Sequence, residues 1–236
     1  MLKQVMALVT LLGLLGCTDA APRGGGDILA LGDSVMAWNG GSGAAIPDVI
    51  GQKLGRVVVS RAVPGAQFDN NSTIAGAVGF DIKRQLPGGR WRWIVINGGA
   101  NDLSADCGCG ACGPQVDALI SNDGTSGSIP AFVQRMQAQT GAQVIWMGYY
   151  AGSGRGGFAG CRDDLVEMEA RLARMAARRD GFHFVDAEDV IDRGDRSLFA
   201  ADNIHPSPRG SALIGAYMAQ AISQREGRSQ TGRSPL

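Results

Sequence analysis

Ser34, Asp202 and His205 are the residues whose types and spacing point most directly to chemistry. Ser34 follows Gly32 and Asp33, where the apolar run "ILAL" breaks off abruptly. A serine hydroxyl is a weak nucleophile until a neighbouring base takes its proton. The chain offers two histidines for that task. His183 lies inside the strand-like "FHFVD" and reads as a packed or edge histidine, whereas His205 sits in the polar turn "ADNIHPS", just before a helical segment. His205 is therefore the candidate base. Asp202, three residues upstream on the same turn, can hold the far ring nitrogen, fix its tautomer and stabilise the imidazolium. The chemistry of such a set is attack of a hydroxyl on an acyl carbon. Gly, Asp and Ser are also ordinary turn residues, so Gly-Asp-Ser carries weight only beside a base and its partner.

These residues need a scaffold that brings distant loops together. Five short apolar runs, at 27–31, 56–60, 93–97, 143–147 and 183–185, each lead into a loop rich in Gly, Asn or Asp. Runs without polar alternation suit strands covered on both faces. Helical patterns lie between them. Leu165, Met168, Leu172 and Met175 share one face, with Asp163, Asp164 and Glu167 at the start of that helix and arginines at its end, as the helix dipole favours. In the last helix, Ser207 is the expected N-cap and Pro208 the first helical residue, after which Ile214, Met218 and Ile222 recur every four residues. Strand–helix alternation at this spacing predicts an α/β fold with a doubly wound parallel sheet of five strands. The loops after its strands are where reactive groups converge.

Four blocks occur in order along the chain: Gly32-Asp33-Ser34; "VPGAQF" with Gly65; "NGGANDL" with Gly99, Asn101 and Asp102; and Asp202 to His205. From about residue 27 to 224 the chain resembles the SGNH hydrolases, the GDSL family of esterases and lipases. The resemblance implies a three-layer α/β/α, flavodoxin-like fold and a triad of Ser34, His205 and Asp202. It also implies an oxyanion hole made by the backbone N–H groups of Ser34 and Gly65 and the side-chain amide of Asn101. No cofactor is implied. The substrates expected are small-molecule, lipid or glycan esters. Asp33 and Asp102 are expected to hold their loops by hydrogen bonds rather than to act on substrate. Trp38, Tyr149 and Tyr150 fall on loops near the expected site, where they are candidates to line an acyl or sugar pocket.

The start of the chain, "MLKQVMALVTLLGLLGC", has one cation and then an apolar stretch of signal-peptide length. Its end resembles the bacterial lipobox, which implies cleavage before Cys17 and a lipid on its sulfur, anchoring the protein to a membrane. A secretory signal cleaved after Ala20 is the other reading, and both export the protein. Residues 1–22 are thus read as signal and linker, 23–226 as the hydrolase domain, and 227–236 as a disordered tail. Export places Cys107, Cys109, Cys112 and Cys161 in an oxidising compartment, where two disulfides are the default. A Cys107–Cys109 bridge would close a very tight ring, so Cys161 is expected to pair with Cys107 or Cys109. A zinc knuckle is the rival reading, but the spacing of "CGCGAC" does not match the usual pair of C-x-x-C knuckles.

Lys and Arg number 22 and so do Asp and Glu, which argues against nucleic acid as a partner. "GSGRGG" at 152–157 matches a dinucleotide-binding pattern formally, yet it follows the fourth strand and no helix opens directly after it. No G-x-S-x-G occurs, which excludes the α/β-hydrolase elbow. No dense set of histidines and acids suggests a catalytic metal. A monomeric, exported serine esterase is the reading, with a non-catalytic cell-envelope binding protein on the same scaffold as its alternative.

Overall fold

The computed structural model describes residues 27–70, 72–150 and 152–231. Five parallel strands form one sheet: β1 (Ile28–Leu31), β2 (Val58–Ser60), β3 (Trp93–Ile96), β4 (Gln143–Met147) and β5 (Phe182–Val185). Their spatial order is β2-β1-β3-β4-β5. The register is regular, with Ile28 opposite both Val58 and Trp93 and with Val144 opposite Phe182. β1 and β3 are buried at every position, as their unbroken apolar runs require. The edge strand β2 stays partly exposed. All five strands coincide with the five runs expected from sequence.

The helices are α1 (Ser34–Ala37), α2 (Ile46–Leu54), α3 (Thr73–Ala77), α4 (Ala100–Cys107), α5 (Gly113–Leu119), α6 (Ser128–Thr140), α7 (Arg162–Ala176) and α8 (Pro208–Thr231). The chain steps from β1 outward to β2, then reverses past β1 to β3, β4 and β5. Right-handed crossovers in opposite directions put their helices on opposite faces of the sheet. Accordingly α2 packs on α8, while α5 packs on α4, α6 and α7. This is the doubly wound α/β/α arrangement. The reversal lies between β1 and β3, so the loops that follow those two strands diverge and leave a crevice between them.

The core fills from both faces. Trp146, Phe68, Phe132 and Phe182 are fully buried, and Phe68 lies against both Phe132 and Trp146. Leu165, Met168, Leu172 and Met175 of α7 are buried as their spacing predicts, and so are Ile214, Met218 and Ile222 of α8. Ser207 caps α8 by accepting a hydrogen bond from the Gly210 amide at 3.2 Å. α8 continues to Thr231, into the stretch read from sequence as a tail from residue 227, and residues 232–236 lie outside the described residues. Polar residues sustain a helix where they extend one that packing has already nucleated, a context that composition alone does not reveal. Residues 1–22, with the expected signal and Cys17, lie outside the described residues. Among the described residues no helix is long and apolar enough to cross a membrane.

Candidate active site

β1 ends at Leu31, and the chain turns through Gly32 into the single turn of α1, which begins at Ser34. Gly32 has φ +146°, and a Cβ there would lie 1.8 Å from Asn97 Oδ1. Only glycine permits this approach. Asp33 caps α1 by accepting from the Val35 amide at 3.0 Å. Its carboxylate also accepts from Asn97 Nδ2 at 2.8 Å and from the Tyr149 hydroxyl. Burial pushes the Asp33 carboxyl above its ordinary range, against the opposing pull of those donors. Gln85 closes the turn from the other side. Its Oε1 accepts from the Gly32 amide, and its Nε2 donates to the Gly32 carbonyl. Ser34 is thus presented by a turn whose buried polar groups are paired in several directions.

His205 arrives from the far end of the chain. Its turn is closed by a bridge between Phe199 and Pro206 and by the Ala200 amide donating to the His205 carbonyl. Asp202 shapes the turn from within, since its Oδ1 accepts from the amides of Ile204 and His205, each at 2.9 Å. Its Oδ2 lies 2.7 Å from His205 Nδ1, and His205 Nε2 lies 2.7 Å from Ser34 Oγ. A carboxylate only accepts, so Nδ1 carries the proton toward Asp202 and Nε2 is left to accept from the Ser34 hydroxyl. Burial alone would raise the Asp202 carboxyl. The bonds from His205 and the two amides outweigh it and hold the carboxyl below its usual range. The three side chains singled out from sequence therefore form one continuous hydrogen-bonded row.

The loop after β3 supplies Asn101, on the first turn of α4. Its Nδ2 donates to the Ala66 carbonyl at 2.8 Å, which ties it to the turn containing Gly65. Gly65 takes the left-handed conformation, φ +80°. Among the described residues, the backbone N–H groups of Ser34 and Gly65 have no hydrogen-bond acceptor. Asp102 accepts from the amides of Phe68 and Asp69, both at 2.7 Å, and burial pushes its carboxyl up to about 6. Asp33 and Asp102 thus hold loops, as expected. A largely apolar cavity opens beside Ser34 and Asn101, walled by Val35, Ala100, Leu165 and Phe158, with Tyr149 and Tyr150 contributing as expected. Trp38 does not line it. Instead its indole stacks on His205, with ring centroids 3.8 Å apart and planes 6° apart.

The cysteines pair as Cys107–Cys112 and Cys109–Cys161, so Cys161 takes one of its two expected partners. Cys109–Cys161 ties the turn after α4 to the segment that leads into α7, next to the cavity-wall residue Phe158, and Cys107–Cys112 closes the turn between α4 and α5. The four sulfurs are taken up in these two disulfides and form no thiolate set. His183 is a half-buried strand residue 3.2 Å from Gln143 Oε1, and burial pushes it down to about 4.

Sequence reasoning missed Asn97, Tyr149, Gln85 and Glu169 as supports. Glu169 is buried on α7, where its Oε1 accepts from the Tyr149 amide, and burial raises its carboxyl well above the ordinary range. A weak signal existed. Glu169 follows Leu165 by four residues and adjoins Met168, so it falls on the buried stripe.

Residues 30–213 match the GDSL-like Lipase/Acylhydrolase family. No curated protein matches the chain. Among solved structures, an extracellular lipase from Streptomyces rimosus is 18% identical with a TM-score of 0.56, over 83% of this chain and 98% of that one. A carbohydrate acetylesterase from Sinorhizobium meliloti is 15% identical with a TM-score of 0.53, over 84% and 98%. The aryl esterase of M. smegmatis is 16% identical with a TM-score of 0.50, over 84% and 98%. At these identities the likeness is one of fold.

Proposed function

From the chain's membership of the GDSL-like lipase/acylhydrolase family, we propose that it is an exported serine esterase that cleaves carboxylic acyl or acetyl esters. The observation that carries this reading is the row Asp202–His205–Ser34, joined by two contacts of 2.7 Å at the mouth of a cavity. His205 takes the proton of Ser34 as Oγ attacks the acyl carbon, and returns it to the departing alcohol. Asp202 keeps the ring in the tautomer this requires and stabilises the imidazolium. The developing oxyanion meets the N–H groups of Ser34 and Gly65 and the second N–H of the Asn101 amide. Water then releases the acyl group by the same route in reverse. No cofactor enters the cycle.

The neighbours named above are a lipase, a carbohydrate acetylesterase and an aryl esterase, which supports ester hydrolysis without choosing an acid or an alcohol. The apolar wall beside Ser34 suits the hydrocarbon of an acyl group. Export and a lipid on Cys17 complete the proposal, supported by the sequence of the first residues and by cysteines paired as an oxidising compartment would pair them.

Initial rates on p-nitrophenyl esters from acetyl to dodecanoyl test the reading. Turnover that drops by about 10³-fold or more in Ser34→Ala is the expected result. The preferred chain length separates acetylesterase from lipase-like use. A folded wild-type protein without turnover on these esters or on acetylated glycans overturns the reading and favours a binding role.

A further inference from the structure

Ser34 and Trp38 stand four residues apart on one short turn, so their side chains share a face. Both meet the same imidazole. Ser34 Oγ meets its edge at Nε2, and the Trp38 indole covers its face at 3.8 Å in a nearly parallel stack. The next residue continues the grip. Asn39 has φ 67°, and its Nδ2 donates to the Pro206 carbonyl at 3.0 Å and to Ser211 Oγ at 2.9 Å. The stretch that carries the nucleophile therefore also holds the loop that carries the base, on the ring and on the backbone beyond it.

We propose that Trp38 is a positioning residue for His205, fixing the plane of its imidazole and stabilising its protonated form. The inference rests on the reading of His205 as general base. An imidazole free to rotate about its side-chain bonds would lose Asp202 on one edge and Ser34 on the other. A ring stacked on its face removes that freedom without using either nitrogen. When His205 takes the Ser34 proton, its charge lies against the electron-rich face of an indole, the most favourable side chain for such a contact. The charged groups around the ring are Asp202, which bonds Nδ1, and Asp33, which acts through its field from behind Ser34. Both remain in place when Trp38 is changed, so the contribution of the stack is separable.

Two histidines make the test direct. The imidazole Cε1–H signals in proton NMR are assigned with His183→Gln and followed from pH 4.5 to 8.5 in wild type, Trp38→Leu and Trp38→Phe. Leucine still covers the ring but removes the π face, and phenylalanine keeps a weaker one. The expected result is a His205 titration midpoint lowered by about 0.4 to 1 pH unit in Trp38→Leu and by less in Trp38→Phe. The acid limb of kcat/KM on p-nitrophenyl acetate should move by the same amount, with a lower kcat. A midpoint that stays or rises in both variants, with circular dichroism showing them folded, overturns the proposal. The titration needs no substrate. A shifted midpoint in a protein that hydrolyses no ester would leave the stacking role standing and the esterase reading refuted.

Discussion

Two loop systems flank the cavity, and they are held by different physics. The Ser34 turn is fixed by directional bonds between buried groups: Asp33 to Asn97 and Tyr149, and Gln85 to both ends of the Gly32 peptide. The rim that carries Phe158 is tied to the turn after α4 by Cys109–Cys161, and Cys107–Cys112 closes that turn. In its proposed role as nucleophile, Ser34 must be held in angle as well as in place, and several convergent hydrogen bonds provide that. A rim needs only to keep its shape. A covalent tie provides this largely by constraining the unfolded chain. Geometry on one side and persistence on the other are separate requirements.

That contrast is open to test. Asn97→Ala should have the largest effect, because it removes a partner from the buried Asp33 carboxylate. Stability should fall by about 2–4 kcal/mol in urea unfolding, and kcat by about 100-fold. Equal loss of stability with kcat intact would show that the network is scaffold alone. Reduction with dithiothreitol should lower stability and leave turnover nearly intact. The longer bridge spans a separation of 52 residues and contributes about 4 kcal/mol by loop entropy, so the melting temperature should drop clearly while kcat changes only a few-fold. Unchanged stability and activity after verified reduction would remove the rim from the comparison. Tyr149→Phe should cost less, about 1–2 kcal/mol, since Asp33 keeps its other two donors.

The most gradual effect concerns pH. Burial holds the Asp102 carboxyl at about 6 in the folded protein, above the ordinary aspartate value of 3.8. The folded state therefore binds that proton more tightly than the unfolded one, and the stability gained is present at pH 4 and lost as pH rises through about 6. The slope should be about 1 kcal/mol per pH unit across that window, and Asp102→Asn should flatten it in urea titrations at successive pH values. An unaltered slope would place the titrating group elsewhere.

The same contrast explains what could be read from the chain in advance. The five strands were legible because buried parallel strands must be apolar at every position. That the four cysteines would pair was legible from their even number, whereas the choice between Cys107 and Cys109 as partner of Cys161 was not, because it depends on how α4 meets the segment before α7. Ser34, Asp202 and His205 stood out because the chain has only two histidines, and one of them sits in a polar turn three residues after an aspartate. Tyr149 was not legible as a partner of Asp33, 116 residues away, because only the sheet order brings the end of β4 beside the end of β1. Trp38, a candidate for the pocket wall, covers His205 instead, for a related reason. Its place on the loop was correct, but nothing local says which neighbour an aromatic ring will cover.

The order of the cysteines has a consequence for how the protein matures. During synthesis Cys107, Cys109 and Cys112 emerge within six residues of one another, whereas Cys161 follows only after α5, α6 and β4. For that interval three thiols compete for one bond, and the native outcome requires the middle one to wait. Any early pair that includes Cys109 strands Cys161 and must be reshuffled through thiol–disulfide exchange. Yield of the correctly bridged protein should therefore depend on a disulfide isomerase as well as an oxidant, although the Ser34 turn needs neither.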